Sequence, residues 1–230
     1  MRDRLRAGIA VYNTGHRHAA HDVWEDRWLD LRGDLADAGD DPPATVREAS
    51  VTDRLATPSV AADERLLHGL IQFTAAAHHV GEGNAGGASD LAESAPVYLG
   101  PLPADYRDCS LAPVREWLNA VAAADAVTVA TVPDPPPLRH GGAALTLGDL
   151  DAEAALLAAP VVARATGYDP KPVAAAADYA RDAVRDGGTS RFLVLVVDFV
   201  TDGQRAIVHR RLSEHVDRRR RRDRDVDGLF

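Results

Sequence analysis

The stretch that decides the fold is Asp63-Glu-Arg-Leu-Leu-His-Gly-Leu-Ile-Gln-Phe-Thr-Ala-Ala-Ala-His-His-Val80. Drawn as a helix at about 100° per residue, its apolar side chains cover most of the circumference, which predicts burial on nearly every side. His68, Gln72 and His79 share one stripe about 40° wide, while His78 points elsewhere. A buried helix with one polar stripe requires a neighbour that supplies hydrogen-bonding partners for it.

A second helix, predicted from about Ala19 to Arg32, offers that neighbour. The same construction places four of its side chains on one side, within about a quarter-turn: His21, Trp24, Glu25 and Trp28. We therefore expect the two polar stripes to face each other in an antiparallel helix pair. The predicted seam consists of His21, Trp24, Glu25, Trp28, Gln72 and His79.

Both stripes lie within motifs of a known family. The first motif is Tyr12-Asn13-x-Gly15 followed by His21-Asp22-x-Trp24-Glu25-x-x-Trp28; the second is Gly69-Leu-Ile-Gln-Phe-Thr-Ala-Ala-Ala-His-His79, then Gly83-Asn84 and Gly87-Ala88. In order and internal spacing they resemble the domain of unknown function 309 family, over roughly residues 1–125. The resemblance implies a small all-helical bundle and no established activity. The chain departs from the family's aromatic and glutamate positions at Arg17, His18, Ala19 and Asp22.

Turn and breaker residues divide the rest of the chain into further helices. The polar stretch 33–59 indicates an insertion loop, with one short helix near 46–55. Because Pro133-Asp-Pro-Pro-Pro137 cannot continue a helix, we expect a bundle over 1–128, a Pro/Gly linker over 129–142 and a C-terminal helical unit over 143–230. The β-branched run 192–200 favours a strand by composition, but no other segment offers it a strand partner. The sequence therefore predicts an all-α protein, a helical bundle with a C-terminal helical extension.

Three interpretations of the predicted seam remain open at the level of sequence. The first is a buried hydrogen-bond network that fixes helix register, since unpaired buried polar groups cost about 1–3 kcal/mol. The second is a pocket for a small ligand or a protein partner. The third is a metal site formed by His21, Glu25 and His79, a donor set that suits zinc or a similar transition metal in a metal-dependent hydrolase.

The catalytic interpretation has the least support in the sequence. The zinc-hydrolase signature H-E-x-x-H is absent, because His21-Asp-Val-Trp-Glu25 ends in Glu. The single cysteine, Cys109, excludes an intrachain disulfide and any multi-cysteine zinc site. We therefore expect a non-catalytic binding or assembly module without a cofactor, and leave open whether its partner is a second copy or another protein.

The charged residues are strongly biased in type. The chain has 27 Asp and 8 Glu against 25 Arg and one Lys, and a net charge of −9. An Asp-rich, Lys-poor surface suits a cytoplasm with molar salt, where the Debye length falls to about 3 Å, so we expect a halophilic archaeal protein of the cytoplasm. We expect no signal peptide and no membrane contact, because no apolar run approaches the roughly 18 residues of a membrane span.

The C-terminal region reverses this charge. From Gln204 to Arg224, nine Arg stand against three acidic residues, a local balance of +6. Five of these arginines are consecutive: Arg218, Arg219, Arg220, Arg221 and Arg222. Contact with nucleic-acid phosphates is one interpretation. Because the run contains no aromatic residue for base stacking, we favour docking within the chain or between subunits.

Overall fold

A computed structural model describes residues 1–39, 59–124, 131–185, 188, 190–201 and 203–227. Within these ranges the chain forms α-helices, two short 3-10 turns and isolated bridges, and no β-strand, so the all-α prediction is confirmed. The helices are α1 (Arg2–Asn13), α2 (Ala19–Asp37), α3 (Val60–Gly81), α4 (Ala85–Leu99), α5 (Ala112–Ala122), α6 (Ala152–Ala165), α7 (Pro170–Arg185), α8 (Arg191–Thr201) and α9 (Arg205–Asp227). No helix in the described ranges combines the length and apolarity that crossing a bilayer requires.

The chain divides into two compact units, Met1–Thr146 and Leu147–Phe230. In the first unit α3 is the central helix, and it packs against α2 on one side and α4 on the other. Apolar side chains around most of its circumference are buried, as the sequence predicts; they include Leu66, Leu67, Leu70, Phe73 and Ala77. The Phe73 ring lies 5.4 Å from the rings of both Tyr12 and Trp117, which joins α3 to α1 and α5.

The start of α3 is fixed by two local interactions. The Ser59 hydroxyl accepts a hydrogen bond from the backbone N–H of Ala62, the usual role of a serine at a helix N-terminus. Asp63 is buried and receives bidentate hydrogen bonds from Arg107 at 2.8 and 2.7 Å and one from the Tyr106 hydroxyl at 2.9 Å. These bonds tie the first turn of α3 to the 3-10 turn Tyr106–Asp108.

The helix α2 is longer than the sequence predicts. It continues through Gly33 to Asp37, whereas the predicted insertion loop begins at residue 33. Leu31 and Leu35, one turn apart, are both buried on the same face, and their burial stabilises the helix beyond Arg32. The rest of the predicted insertion, residues 40–58 with its short helix, lies outside the described residues.

The proline-rich segment is bound to the first unit. Asn13 donates to the carbonyl oxygens of Leu138 (2.9 Å) and Leu145 (2.8 Å), and its own side-chain oxygen accepts from the N–H of Leu138. Tyr12 and Trp117 donate to the carbonyls of Pro136 and Pro133, at 3.0 and 2.7 Å. The predicted linker is therefore a docked strap along residues 133–145, and the division between the units follows Thr146.

The second unit contains α6, α7, α8 and α9, with α8 in contact with each of the others. The ambiguous run 192–200 lies in α8, so its predicted helical state is confirmed. The side chains of Leu195, Val196, Phe199 and Val200 are buried. A continuous buried face of this kind suits a helix that packs on several neighbours.

The helices α1 and α2 pack closely where Gly8 faces Trp24. A Cβ on Gly8 would stand 2.1 Å from Trp24 Cε2, and the Trp24 indole donates to the Arg4 carbonyl at 3.1 Å. We therefore expect Gly8→Ala to lower the free energy of unfolding by about 1–3 kcal/mol through overpacking. Gly33→Ala is the matched control, because nothing lies within 4 Å of its Cβ position in α2.

The control should raise the free energy of unfolding by about 0.5–1 kcal/mol, since alanine favours the helix more than glycine does. Urea denaturation followed by circular dichroism in high-salt buffer measures both changes. Equal and small effects of the two substitutions would contradict the proposed contact.

Candidate functional site

A buried glutamate lies at the centre of the polar contacts between α2 and α3. The Glu64 side chain is only 1% exposed, and its Oε1 accepts a hydrogen bond of 2.8 Å from the Trp28 indole N–H. Arg32, one turn further along α2, places its guanidinium 3.6 Å from the same oxygen. A buried carboxylate is costly unless donors and positive charge surround it. Trp28 and Arg32 supply both from α2.

A chain of polar side-chain contacts continues from Glu64 along α3 to α4. The Ser94 hydroxyl donates to Gln72 Oε1 at 3.0 Å, so the Gln72 amide nitrogen is the atom that faces His68 Nε2 at 3.1 Å. This amide orientation assigns the acceptor role to His68 Nε2 and the proton to Nδ1. His68 Nδ1 lies 3.3 Å from Glu64 Oε1.

Aromatic rings enclose His68 on both sides. The Tyr98 ring of α4 stacks on the imidazole at a centroid distance of 3.8 Å, and the Trp28 ring of α2 lies at 4.8 Å. The Arg32 guanidinium in turn lies 5.2 Å from the centroid of the Trp28 ring, within the range of a cation–π contact. Trp28, Arg32, Glu64, His68, Gln72, Ser94 and Tyr98 thus form one contact network over three helices, which we call the Glu64 network.

Two buried atoms of the Glu64 network have unused hydrogen-bonding capacity. Among the described residues, neither Glu64 Oε2 nor His68 Nδ1 has a hydrogen-bond partner of acceptable geometry. Such atoms are uncommon in folded proteins, because each buried polar group left unpaired costs about 1–3 kcal/mol. Both atoms are enclosed within the Glu64 network, and Trp28 and Arg32 are partly exposed beside it.

The structure brings together only part of the predicted seam. Trp28 and Gln72 belong to the Glu64 network. Trp24 is instead fully buried where α2 packs on α1, against Gly8. His21 and Glu25 pair with each other within α2, with 3.6 Å between His21 Nε2 and Glu25 Oε1, and the Glu25 side chain is 46% exposed. His79 interacts with Asn84 at the end of α3.

The predicted metal site is not assembled. In the part of the chain that the structure describes, no three His, Cys, Asp or Glu side chains converge as metal ligands. The imidazole that approaches His21 is His18, at a ring distance of 5.9 Å, and His18 stacks on His78 at 4.8 Å. The His79 ring lies 5.9 Å from the His78 ring of this cluster. The set His21, Glu25 and His79 therefore does not form a common donor group in this geometry.

Glu64 is not among the residues of the predicted seam, although its signal is present in the sequence. Glu64, His68 and Gln72 are spaced at i, i+4 and i+8, so extending the polar stripe back by one turn reaches Glu64. An acidic residue in the first turn of a helix is ordinarily explained by the helix dipole and solvent. Only the packing of α2 over this turn shows that the carboxylate is buried.

Compared with known proteins, the chain matches no family model, no curated protein and no solved structure. The resemblance to the domain of unknown function 309 family therefore stays a prediction.

The Trp28–Glu64 hydrogen bond should contribute measurably to stability. Trp28→Phe keeps an aromatic ring and removes the donor, so we expect the free energy of unfolding to fall by about 1.5–3 kcal/mol. In a Glu64→Gln background the acceptor is neutral, and the same substitution should cost about half as much. A double-mutant cycle in urea measures the difference. An equal cost in both backgrounds would contradict a charge-assisted bond between Trp28 and Glu64.

The histidine cluster predicts a pH dependence of stability. Partial desolvation, followed by the charges of His78 and His21, lowers the pKa of His18 below its usual value of 6.5, and Asp22 opposes this in part. The folded state therefore binds fewer protons than the unfolded state between the lowered pKa and 6.5. The stability present above pH 6.5 is lost as the pH falls through that window.

We expect His18→Gln to reduce the loss of stability between pH 8 and pH 5.5. The effect is modest because His18 is itself exposed. Urea denaturation at closely spaced pH values measures it. An unchanged pH profile in the variant would refute the assignment to His18.

Proposed function

We propose that this chain is a helical binding or assembly module, and that the Glu64 network is its recognition site. The observation that carries the proposal is the Glu64 carboxylate: buried, oriented by Trp28, and with Oε2 unpartnered among the described residues. A network that served register alone would be expected to satisfy its own buried atoms. An unused acceptor beside partly exposed side chains is instead suited to a donor from outside.

The chemistry of the Glu64 network favours a cationic, planar donor. A buried carboxylate oxygen accepts most strongly from a charged donor, and a guanidinium presents several N–H groups in one plane. The Trp28 ring adds a face that attracts cations, as its contact with Arg32 illustrates. The proposed occupant is therefore a guanidinium group, carried by a small molecule or by an arginine of a partner, which enters beside Arg32.

The alternative of a metal-dependent hydrolase has less support, because His21 and Glu25 pair with each other whereas His79 interacts with Asn84. Thermal melting with added zinc and then with a chelator tests it. A zinc-dependent rise in Tm that His79→Gln removes would favour the hydrolase.

We also propose that the protein works in a salt-rich archaeal cytoplasm, because its composition is rich in Asp and poor in Lys.

Titration with methylguanidinium chloride tests the binding proposal, with the three tryptophan indole N–H signals followed by NMR. We expect a saturable shift of the Trp28 signal and unchanged Trp24 and Trp117 signals, because only Trp28 donates to Glu64. Glu64→Gln should abolish the shift. The matched control, Glu82→Gln, removes the same charge at an exposed position beyond α3 and should leave the titration unchanged.

Light scattering in the same buffer tests whether the guanidinium comes from an arginine of a second copy of the chain. An oligomer that Glu64→Gln dissociates, and Glu82→Gln does not, would place a second copy at the site. If the Trp28 signal does not saturate and the oligomeric state is indifferent to Glu64, the proposed binding function is wrong.

A further inference from the structure

In the second unit, α7 and α9 enclose a cavity of about 580 Å³ that opens widely to solvent. Tyr179 of α7 forms one wall, and α9 contributes the others. The α9 side chains in the cavity lining are Asp217, Arg220, Arg221, Asp223 and Arg224. Four of them recur at i, i+3, i+4 and i+7, so one face of α9 is directed at the cavity. We call this site the arginine cavity.

The wall at Tyr179 is held in place by its neighbours. The Arg219 guanidinium lies 5.4 Å from the centroid of the Tyr179 ring and donates from Nε to Asp223 at 2.9 Å. The Phe192 ring of α8 lies 5.2 Å from Tyr179 on a tilted plane. An aromatic ring and a planar guanidinium are thus fixed at the edge of a group of arginines.

This arrangement removes the main objection that the sequence raises against nucleic-acid binding. The basic run contains no aromatic residue, but the fold supplies one from about 40 residues earlier in the chain. Proteins that bind single strands combine positive charge along the backbone with aromatic or guanidinium planes on which bases stack. The arginine cavity brings both together.

The mixed charge of the lining narrows the ligand class further. Three arginines attract an anion, but Asp217 and Asp223 disfavour a ligand that is anionic throughout. A nucleotide carries a phosphate for the guanidinium groups, together with sugar hydroxyls or base amino groups that donate to a carboxylate. The volume lies within the range of about 300–1,000 Å³ that is typical of small-ligand sites.

We infer that the arginine cavity binds one nucleotide unit, with its phosphate on Arg220, Arg221 and Arg224 and its base against the wall of Tyr179 and Arg219. The wide opening leaves room for the strand to continue on either side of the bound unit. The ligand chemistry is therefore that of a nucleotide, either free or within single-stranded nucleic acid. This inference is independent of the Glu64 network.

Two charge-matched triple variants of the full chain test the inference. The cavity variant is R220Q/R221Q/R224Q, and the control is R211Q/R218Q/R222Q, whose arginines are exposed about 130° further around α9. Fluorescence anisotropy with a labelled 12-mer of oligo-dT or oligo-U measures binding in 0.15 M and 1 M KCl. A site on one face predicts a loss of affinity of about tenfold or more for the cavity variant and a much smaller loss for the control. Equal losses would overturn it, because bulk positive charge would then account for binding.

A second substitution, Tyr179→Leu, tests the stacking wall. Base stacking does not depend on salt as phosphate contacts do, so the variant should weaken oligonucleotide binding by about fivefold or more at both KCl concentrations. Its affinity for heparin, a polyanion without bases, should be unchanged, because the positive charge of α9 is unchanged. Equal loss of heparin and oligonucleotide binding would overturn the role of Tyr179.

Adenosine monophosphate distinguishes the two sources of the nucleotide. If adenosine monophosphate displaces the labelled oligonucleotide at concentrations at which inorganic phosphate does not, the cavity binds a free nucleotide. Binding of the oligonucleotide alone would assign it to a strand. No binding of either ligand to the unmodified protein at 0.15 M KCl would refute the inference.

Discussion

The contact on which the first unit depends most is the hydrogen bond from the Trp28 indole to the buried Glu64 carboxylate. A carboxylate that is 1% exposed on a helix buried on nearly every side is tolerated only if neighbouring helices bring donors to it. The bond therefore fixes the rotation and register of α2 against α3. Through His68, Gln72 and Ser94 the same chain of contacts reaches α4 and fixes a third helix. Apolar packing alone would permit several alignments of these helices, whereas the polar contacts require one specific alignment.

Much of this helix packing follows from residue spacing. The apolar circumference of α3, its polar stripe and the presence of Trp28 and Gln72 in the seam are visible in the sequence. A helical wheel gives the direction of each side chain but not the depth at which a neighbour covers it. For this reason His21 and Glu25, on the same predicted stripe, are partly exposed and lie 3.6 Å apart, whereas Glu64 is buried. Trp24 faces α1 because Gly8 leaves room for an indole there, which no feature of α2 reveals.

The proline-rich strap and the arginine cavity also depend on tertiary contacts that the sequence does not reveal. Prolines predict extended backbone, and the carbonyl groups of such backbone have no partner in regular secondary structure. Tyr12, Asn13 and Trp117 bind carbonyls along this segment, so an expected spacer is instead part of a folded unit. In α9 the sequence locates the positive charge, but the aromatic ring beside it comes from α7. Sequence reasoning identifies which residues carry the chemistry, and the tertiary contacts determine which of them act together.

The most direct test of the account is the hydrogen exchange rate of the Trp28 indole N–H, measured by NMR in the unmodified protein and in Glu64→Asp. If Glu64 accepts this proton in a buried network, exchange is slow in the unmodified protein and accelerates in the variant, whose shorter side chain withdraws the acceptor. The Trp24 and Trp117 indoles, which donate to backbone carbonyls, should be unaffected. A Trp28 indole that exchanges as fast as a free indole in the unmodified protein would contradict the central claim.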